Sequence, residues 1–339
     1  MRYSEIYTLI KSHILAGDTQ TVYVIDGSPG CGKSALVKAL ANDPELGFEY
    51  FDDPNCSLLD IPDLAGLALL GDMKSDVLSF KKSPIMAPFQ TGRNLLGLEE
   101  VGDGPIAMQN LQRRVIHDRR INGLVLSPET YIVGTSNRAK DKAGAGRRST
   151  KLANAVSQVE METNLDDWIE WAMGVGNIDV MQIQYHRFRA GSNSLDEFDP
   201  DAKVSATPRQ WEAVNRIPTT LPTNLYFEAV ASRVGPGRAA EYTAFRKIAA
   251  SLVSVDDILI NPTGVPLPSD LSAQYAITGA IAHSTTVGNI ERVAQFVERL
   301  PQDFSIMYWQ DALKKTPAVK TTKPFINWAI KHGNALFSA

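Results

Sequence analysis

Eight consecutive residues, Gly27-Ser28-Pro29-Gly30-Cys31-Gly32-Lys33-Ser34, match the pattern G-x-x-x-x-G-K-S/T in full. The chemistry open to such a run is phosphate binding. Its glycines let backbone N–H groups turn inward toward phosphate oxygens with no Cβ in the way. Lys33, read as part of a surface loop, brings a point charge to the β- and γ-phosphates of a nucleotide, and the Ser34 hydroxyl is placed to ligate Mg²⁺. Ser28 and Pro29 complete the turn, and Cys31, at a free position of the loop, offers its backbone.

A second group is Leu95-Leu96-Gly97-Leu98-Glu99-Glu100, an apolar run closed by two acids. Next to a phosphate loop, an acid at a strand end can order a metal shell, and a following Glu can polarise an attacking water. The first acid is Glu where such sites usually carry Asp. The extra methylene moves its carboxylate by roughly one C–C bond, over an ångström, which loosens support for the metal. The lesser alternative, for the pair taken alone, is two surface acids at a strand end.

These residues need elements to hold them. Thr21–Asp26 reads as a buried strand running into the glycine loop, and Ser34–Leu40 continues as a helix whose N-terminal dipole adds to the anion site. That context separates the loop from a chance glycine-rich turn. Phe48–Phe51 is a short strand candidate, and Asn94–Glu100 and Tyr131–Asn137 are further strands with polar ends. Tyr3, Ile6, Leu9, Ile10 and Ile14 recur at helical spacing, and Met108, Leu111 and Val115 share one helix face. Leu64–Arg93 reads as irregular, and Arg119–Pro128, with Asn122-Gly123 at its tip, as a β-hairpin. Strands alternating with helices argue for an α/β fold with a parallel sheet covered on both faces. After about residue 163 the strand signals fade. Phe245, Ile248, Ala249 and Leu252, and again Ile290, Val293, Phe296, Val297 and Leu300, follow a helical period, while Gly191–Val204 reads as a loop. The expected division is an α/β nucleotide-binding core over 1–163 and a helical region over 164–339.

Composition narrows the partners. Of 339 residues, 44% are hydrophobic and 21% charged, which is enough to build a core. A net charge of −4 gives no support to bulk nucleic-acid binding. Two cysteines, Cys31 and Cys56, imply neither a disulfide framework nor a zinc site. No apolar run approaches the roughly 18 residues of a membrane span, and the first residues do not read as a signal peptide, so a cytoplasmic protein is expected.

The order of these features resembles the MoxR-like AAA+ ATPases, in versions carried by bacteria and tailed phages. It runs from the glycine loop through Asp63-Leu64-Ala65-Gly66, the acidic strand end, Gln109-Asn110 on a helix, the hairpin and the Asn-tipped strand to Thr207-Pro208-Arg209-Gln210-Trp211. The resemblance covers about residues 5 to 216. It implies a P-loop NTPase core of AAA+ type followed by a helical lid and a helical C-terminal region. It further implies ATP and Mg²⁺ as ligands and a ring oligomer, a hexamer in such families. Cytoplasm would then mean host cytoplasm if the chain is phage-encoded. By the same resemblance Asn137 corresponds to sensor 1, holding the attacking water or γ-phosphate, and Arg209 to sensor 2, reaching the nucleotide from the lid. Residues of about 64–93 correspond to the helix-2 insert and 119–129 to the pre-sensor-1 hairpin, both facing the pore of the ring. Without the resemblance, Asn137 is a strand-end cap residue, Arg209 a surface arginine, and Trp168, Trp171 and Trp211 core residues.

One departure matters. Family members carry an arginine in a Leu-x-Asn-Arg segment that reaches into the neighbouring subunit's site. Here the segment is Leu152-Ala153-Asn154-Ala155, with Arg147 and Arg148 just upstream as substitutes. Such fingers contribute about 10³–10⁵ in rate, so Ala155 implies impaired turnover. The expected function is Mg²⁺-dependent ATP hydrolysis in a ring that remodels or assembles a protein partner. Glu100 activates water, Glu99 and Ser34 hold the metal, and Asn137 and Arg209 sense the γ-phosphate. Two alternatives stand beside it. One is a nucleic-acid motor or loader, drawn from the basic run Arg113, Arg114, Arg119, Arg120, Arg138, Lys140, Lys142, Arg147 and Arg148. The other is a nucleotide-gated assembly scaffold with weak turnover.

Overall fold

The computed structural model describes residues 1–69, 79–141, 148–190, 193–252 and 254–336, which pack as two units. The first comprises Met1–Asn164 with Phe198–Ala202, the second Leu165–Glu197 with Lys203–Ala339.

The first unit is built on a parallel sheet. Its strands are β1 (Tyr23–Gly27), β2 (Tyr50–Asp52), β5 (Asn94–Leu98), β8 (Thr130–Asn137) and β9 (Ser157–Met161), in the order β2-β5-β8-β1-β9. Between them come helices α1 (Tyr3–Leu15), α2 (Lys33–Ala41), α3 (Ile61–Ala65), α4 (Ile106–Arg113) and α5 (Thr150–Ala153). Two small antiparallel pairs complete the unit, β3 (Leu67–Leu69) with β4 (Ser79–Lys81) and β6 (Arg120–Ile121) with β7 (Leu124–Val125).

Successive strand residues point to opposite faces, so each strand feeds two cores. Tyr23, Ile25, Leu95, Tyr131 and Val133 pack with Ile6, Ile10 and Ile14 of α1 and Leu36, Val37 and Leu40 of α2. Val24, Leu96, Leu98 and Ile132 face the other way, against Leu64, Phe89, Met108 and Val115. Burial on both faces is why these strands read as continuous apolar runs rather than alternating ones.

Several expectations shift. The stretch 64–93, read as irregular, holds the short β3–β4 pair and a 3₁₀ turn at Ala87–Gln90. The helix carrying Met108 and Leu111 gives way to a π-turn over Arg114–Asp118, so Val115 reaches the core from that turn. Strand β9 carried no clear signal, because Ser157, Gln158 and Glu160 are exposed on an edge strand and only Met161 is buried. The hairpin at Asn122-Gly123 is present.

The second unit is helical: α6 (Leu165–Met173), α7 (Val180–Phe188), α8 (Pro208–Asn215), α9 (Thr223–Val234), α10 (Pro236–Ala250), α11 (Val255–Ile260), α12 (Leu271–Ser284), α13 (Ile290–Val297), α14 (Gln302–Lys315) and α15 (Lys323–Leu336). Trp168 and Trp211 are core residues here, with Tyr185, Tyr242 and Phe245. His186 sits edge-on to both indoles, at 4.9 and 4.5 Å between ring centroids. Its full burial pushes its pKa down to about 3, and the Arg238 charge adds to this, so the ring is neutral. The Arg187 guanidinium forks onto the buried Asp311 carboxylate, joining α7 to α14. Among the described residues, no helix is long and apolar enough to cross a membrane.

Candidate functional site

Strand β1 ends at Gly27, and the chain passes through Ser28–Gly32 into α2. Gly30 and Gly32 hold positive φ of 81° and 109°. Those values turn the loop back over the helix start without the strain a side chain would bring. Lys33 is not a surface residue, as the loop reading implied, but 8% exposed and the first residue of α2. Its Nζ donates to the Gly27 and Ser28 carbonyls, both at 2.9 Å, and to Asn137 Oδ1 at 3.1 Å. Ser34, next along α2, is half-buried.

The contact from Lys33 to Asn137 follows from register. Gly27 lies opposite Asn137 in the β1–β8 pair, and Leu98 opposite Gly134 in the β5–β8 pair. The glycine loop, Asn137 and the acidic turn after β5 therefore all sit at the C-terminal edge of one sheet. In open α/β sheets that edge is where ligands bind.

Glu99 continues β5 through a parallel bridge to Asn55, and Glu100 breaks away with φ at 55°. A non-glycine residue there is uncommon and marks a turn held by its surroundings. Among the bonds that hold it, the Val101 N–H donates to the Thr135 carbonyl at 2.8 Å, the Asp103 N–H donates to the Glu100 carbonyl at 3.1 Å, and Glu100 Oε2 accepts from the Ser57 hydroxyl. Ser57 Oγ also lies 2.8 Å from Asn55 Oδ1. Buried beneath the turn, the Cys56 thiol is pushed up to about 12, by burial first and then by the charges of Glu100, Asp103 and Glu99. The turn thus gathers acidic side chains at the sheet edge that also carries the glycine loop. Among the described residues no group of three or more His, Cys, Asp and Glu converges as a metal cage.

Arg209 lies on α8 of the second unit, exposed, one residue after the Pro208 that starts the helix under the Thr207 cap. Ala155 follows α5 and packs half-buried against the core. Lys142 and Arg147 lie outside the described residues. Arg148 pairs with Asp26 in its own chain. The rest of the basic run is largely engaged: Arg119 donates to the Thr130 carbonyl, Arg138 pairs with Asp141 and Glu160, and Arg114 faces Asp118. Sequence reasoning missed Asn55, Ser57 and Asp26, and read Arg148 as a substitute finger or a member of the basic run, not as the partner of Asp26. The only local trace of the three missed residues is the polar run Asp52-Asp53-Pro54-Asn55 after β2 and an acid just before the glycine loop.

No family model and no curated protein matches this chain. Among solved structures, NtrX from Brucella abortus aligns at a TM-score of 0.40 and 14% identity, over 90% of this chain and 67% of that one. A RuvB mutant of Thermotoga maritima aligns at 0.37 and 12%, over 97% and 87% of the two chains. The replication initiator DnaA, bound to AMPPCP and single-stranded DNA, aligns at 0.37 and 14%, over 98% and 93%. These scores are low; the parallel α/β core, with a glycine loop between β1 and α2, and the helical C-terminal region follow from the strand order and the elements themselves.

Proposed function

We propose that this chain binds ATP with Mg²⁺ at the glycine loop and hydrolyses it, as an AAA+ ATPase of the MoxR-like kind. The observation that carries the reading is the 3.1 Å contact between Lys33 Nζ and Asn137 Oδ1, at the sheet edge shared with the Glu99–Glu100 turn. In this reading the backbone of Gly27–Gly32 cradles the phosphates, Lys33 meets the β- and γ-phosphates, and Asn137 orients the attacking water. Glu100 takes the proton from that water. Arg209 is kept as the γ-phosphate sensor that the resemblance implies. The donor set suits Mg²⁺, which is usually held by a hydroxyl, one or two carboxylates, waters and phosphate oxygens rather than by an all-protein cage. Ser34 and Glu99 would hold it, and when bound it would neutralise charge on the phosphates.

The work done belongs to a ring oligomer, a hexamer by the same resemblance, acting on a protein partner. Supporting this, β3–β4 exposes Leu67, Leu69 and Phe80, and β6–β7 exposes Val125. Exposed apolar side chains on these short strand pairs suit contact with another protein more than with a phosphate backbone. Arg114, Arg119, Arg138 and Arg148, four residues of the basic run, are also engaged by partners within the chain. The test is Glu100→Gln, whose amide cannot accept the proton. It should bind ATP and lose at least about 10²-fold in turnover, trapping a nucleotide-bound oligomer from which a partner can be recovered. Unchanged turnover in a folded variant would remove Glu100 from this role.

A further inference from the structure

One guanidinium ties together three separate stretches of the candidate site. Arg148 forks onto Asp26, with Nη1 3.2 Å from Oδ2 and Nη2 bonded to Oδ1, while its Nε donates to the Val101 carbonyl at 3.2 Å. Asp26 immediately precedes Gly27 of the phosphate loop, and Val101 immediately follows Glu100. The two side chains are only 13% and 18% exposed. The neighbouring residue extends the clasp: the Ser149 N–H donates to Gln109 Oε1 at 2.7 Å, and Gln109 Nε2 donates to the Gly102 carbonyl at 2.8 Å. Gln112 Oε1 accepts from the Gly102 N–H at 3.0 Å. The turn beginning at Glu100, whose left-handed backbone needs support, is therefore held from one side by Arg148 and from the other by α4.

We propose that Arg148 is a positioning residue acting within its own subunit, fixing the Glu100 turn relative to the phosphate loop through Asp26, and is not a finger reaching into a neighbour's site. Its consequence for turnover rests on the ATPase reading above; the clasp does not. The chemistry selects arginine. A planar fork can take both carboxylate oxygens and still aim Nε at a carbonyl, whereas a lysine ammonium is a point charge.

The test uses Arg148→Gln, Arg148→Lys, Asp26→Asn and the double variant Arg148→Gln/Asp26→Asn, with folding checked by circular dichroism. Misplacing a reacting group by about an ångström costs on the order of 10²-fold. Arg148→Gln and Asp26→Asn should each lower kcat by roughly that factor while nucleotide affinity stays within about threefold. The double variant should be no worse than either single one, since both break one device. Arg148→Lys should not recover the rate. Mixing Arg148→Gln subunits with Lys33→Ala subunits separates the mechanisms: a finger acting in trans would restore activity, and a cis clasp would not. Restored activity, or a normal kcat in Asp26→Asn, overturns the proposal. A readout independent of turnover is amide hydrogen exchange in the dissociated subunit. The Val101 and Gly102 amides should exchange at least about tenfold faster in Arg148→Gln and Asp26→Asn. Should either variant unfold, Gly102→Ala offers a third route, because a Cβ there would come within 2.3 Å of Arg148 Cγ. It should reproduce the faster exchange at Val101. Unchanged exchange refutes the clasp even if the unaltered chain shows no ATPase activity, an outcome that would sink only the proposed function.

Discussion

Replacing Lys33 by alanine tests the phosphate site and the burial of its lysine together. The ammonium donates to the Gly27 and Ser28 carbonyls at 2.9 Å and to Asn137 Oδ1 at 3.1 Å, and the residue is 8% exposed. The substitution removes the charge with the side chain and leaves these oxygens without that donor. A buried acceptor left alone costs about 1–3 kcal/mol. Here the side chain's departure opens room for water, which replaces a lost partner at little enthalpic cost. The expected loss is therefore about 1–2 kcal/mol for the whole site, or a urea midpoint lowered by roughly 1 M or less. Nucleotide affinity should fall far more. Charge-assisted bonds to phosphate contribute about 1.5–3 kcal/mol each, so loss of the lysine's bonds to two phosphates predicts at least a 10²-fold weaker Kd, about 3 kcal/mol. The assay is a titration with a fluorescent ATP analogue in Mg²⁺, paired with urea unfolding without nucleotide, and Lys33→Met serves as the variant that keeps the packing. An affinity within twofold of the unaltered chain, in a folded variant, would refute the phosphate role of Lys33.

Glu99→Ala should raise the Mg²⁺ concentration needed for half-maximal turnover by about tenfold, and if Glu99→Gln abolishes turnover while Glu100→Gln does not, the two roles are reversed. Ala155→Arg should raise turnover per subunit at least about tenfold, and only at concentrations where the oligomer forms, if a finger acts from this position; its stem must first run past the apolar groups that Ala155 now packs against. No gain in a verified oligomer, with turnover also unchanged in Arg147→Ala and Arg148→Ala, would favour the scaffold alternative. His186 stays neutral in the fold, with a pKa pushed down to about 3 from 6.5. Its folded pKa lies below the unfolded one, so the unfolded chain binds the extra proton between these values and stability falls as pH drops through that window. The slope is about 1.4 kcal/mol per pH unit, or about 2 kcal/mol between pH 6.5 and 5. His186→Gln should flatten that part of the profile in urea titrations; an unaltered slope would place the titration elsewhere.

The strand–glycine loop–helix unit around Gly27–Ser34 was legible in the sequence because its geometry is local. A strand, three glycines, a lysine and a helix start lie within a dozen residues, and each constrains the next through backbone geometry alone. The buried strands β5 and β8 and the Asn122-Gly123 turn were legible for the same reason, whereas β9, half-exposed at a sheet edge, had no apolar run to announce it. Tertiary structure decided what no spacing encodes. Lys33 meets Asn137 across 104 positions, Arg148 meets Asp26 across 122, and Ser57 meets Glu100 across 43. These meetings depend on which strands lie side by side and in what register, and that is set by burying two apolar faces of the sheet at once. The burial of Lys33 has the same origin: the helix that starts with it is pressed onto the sheet by Leu36, Val37 and Leu40, and the lysine goes with them. Whether an arginine is free to reach outward or is held by an aspartate of its own chain is likewise a fact of packing, and the sequence alone carries no mark of it.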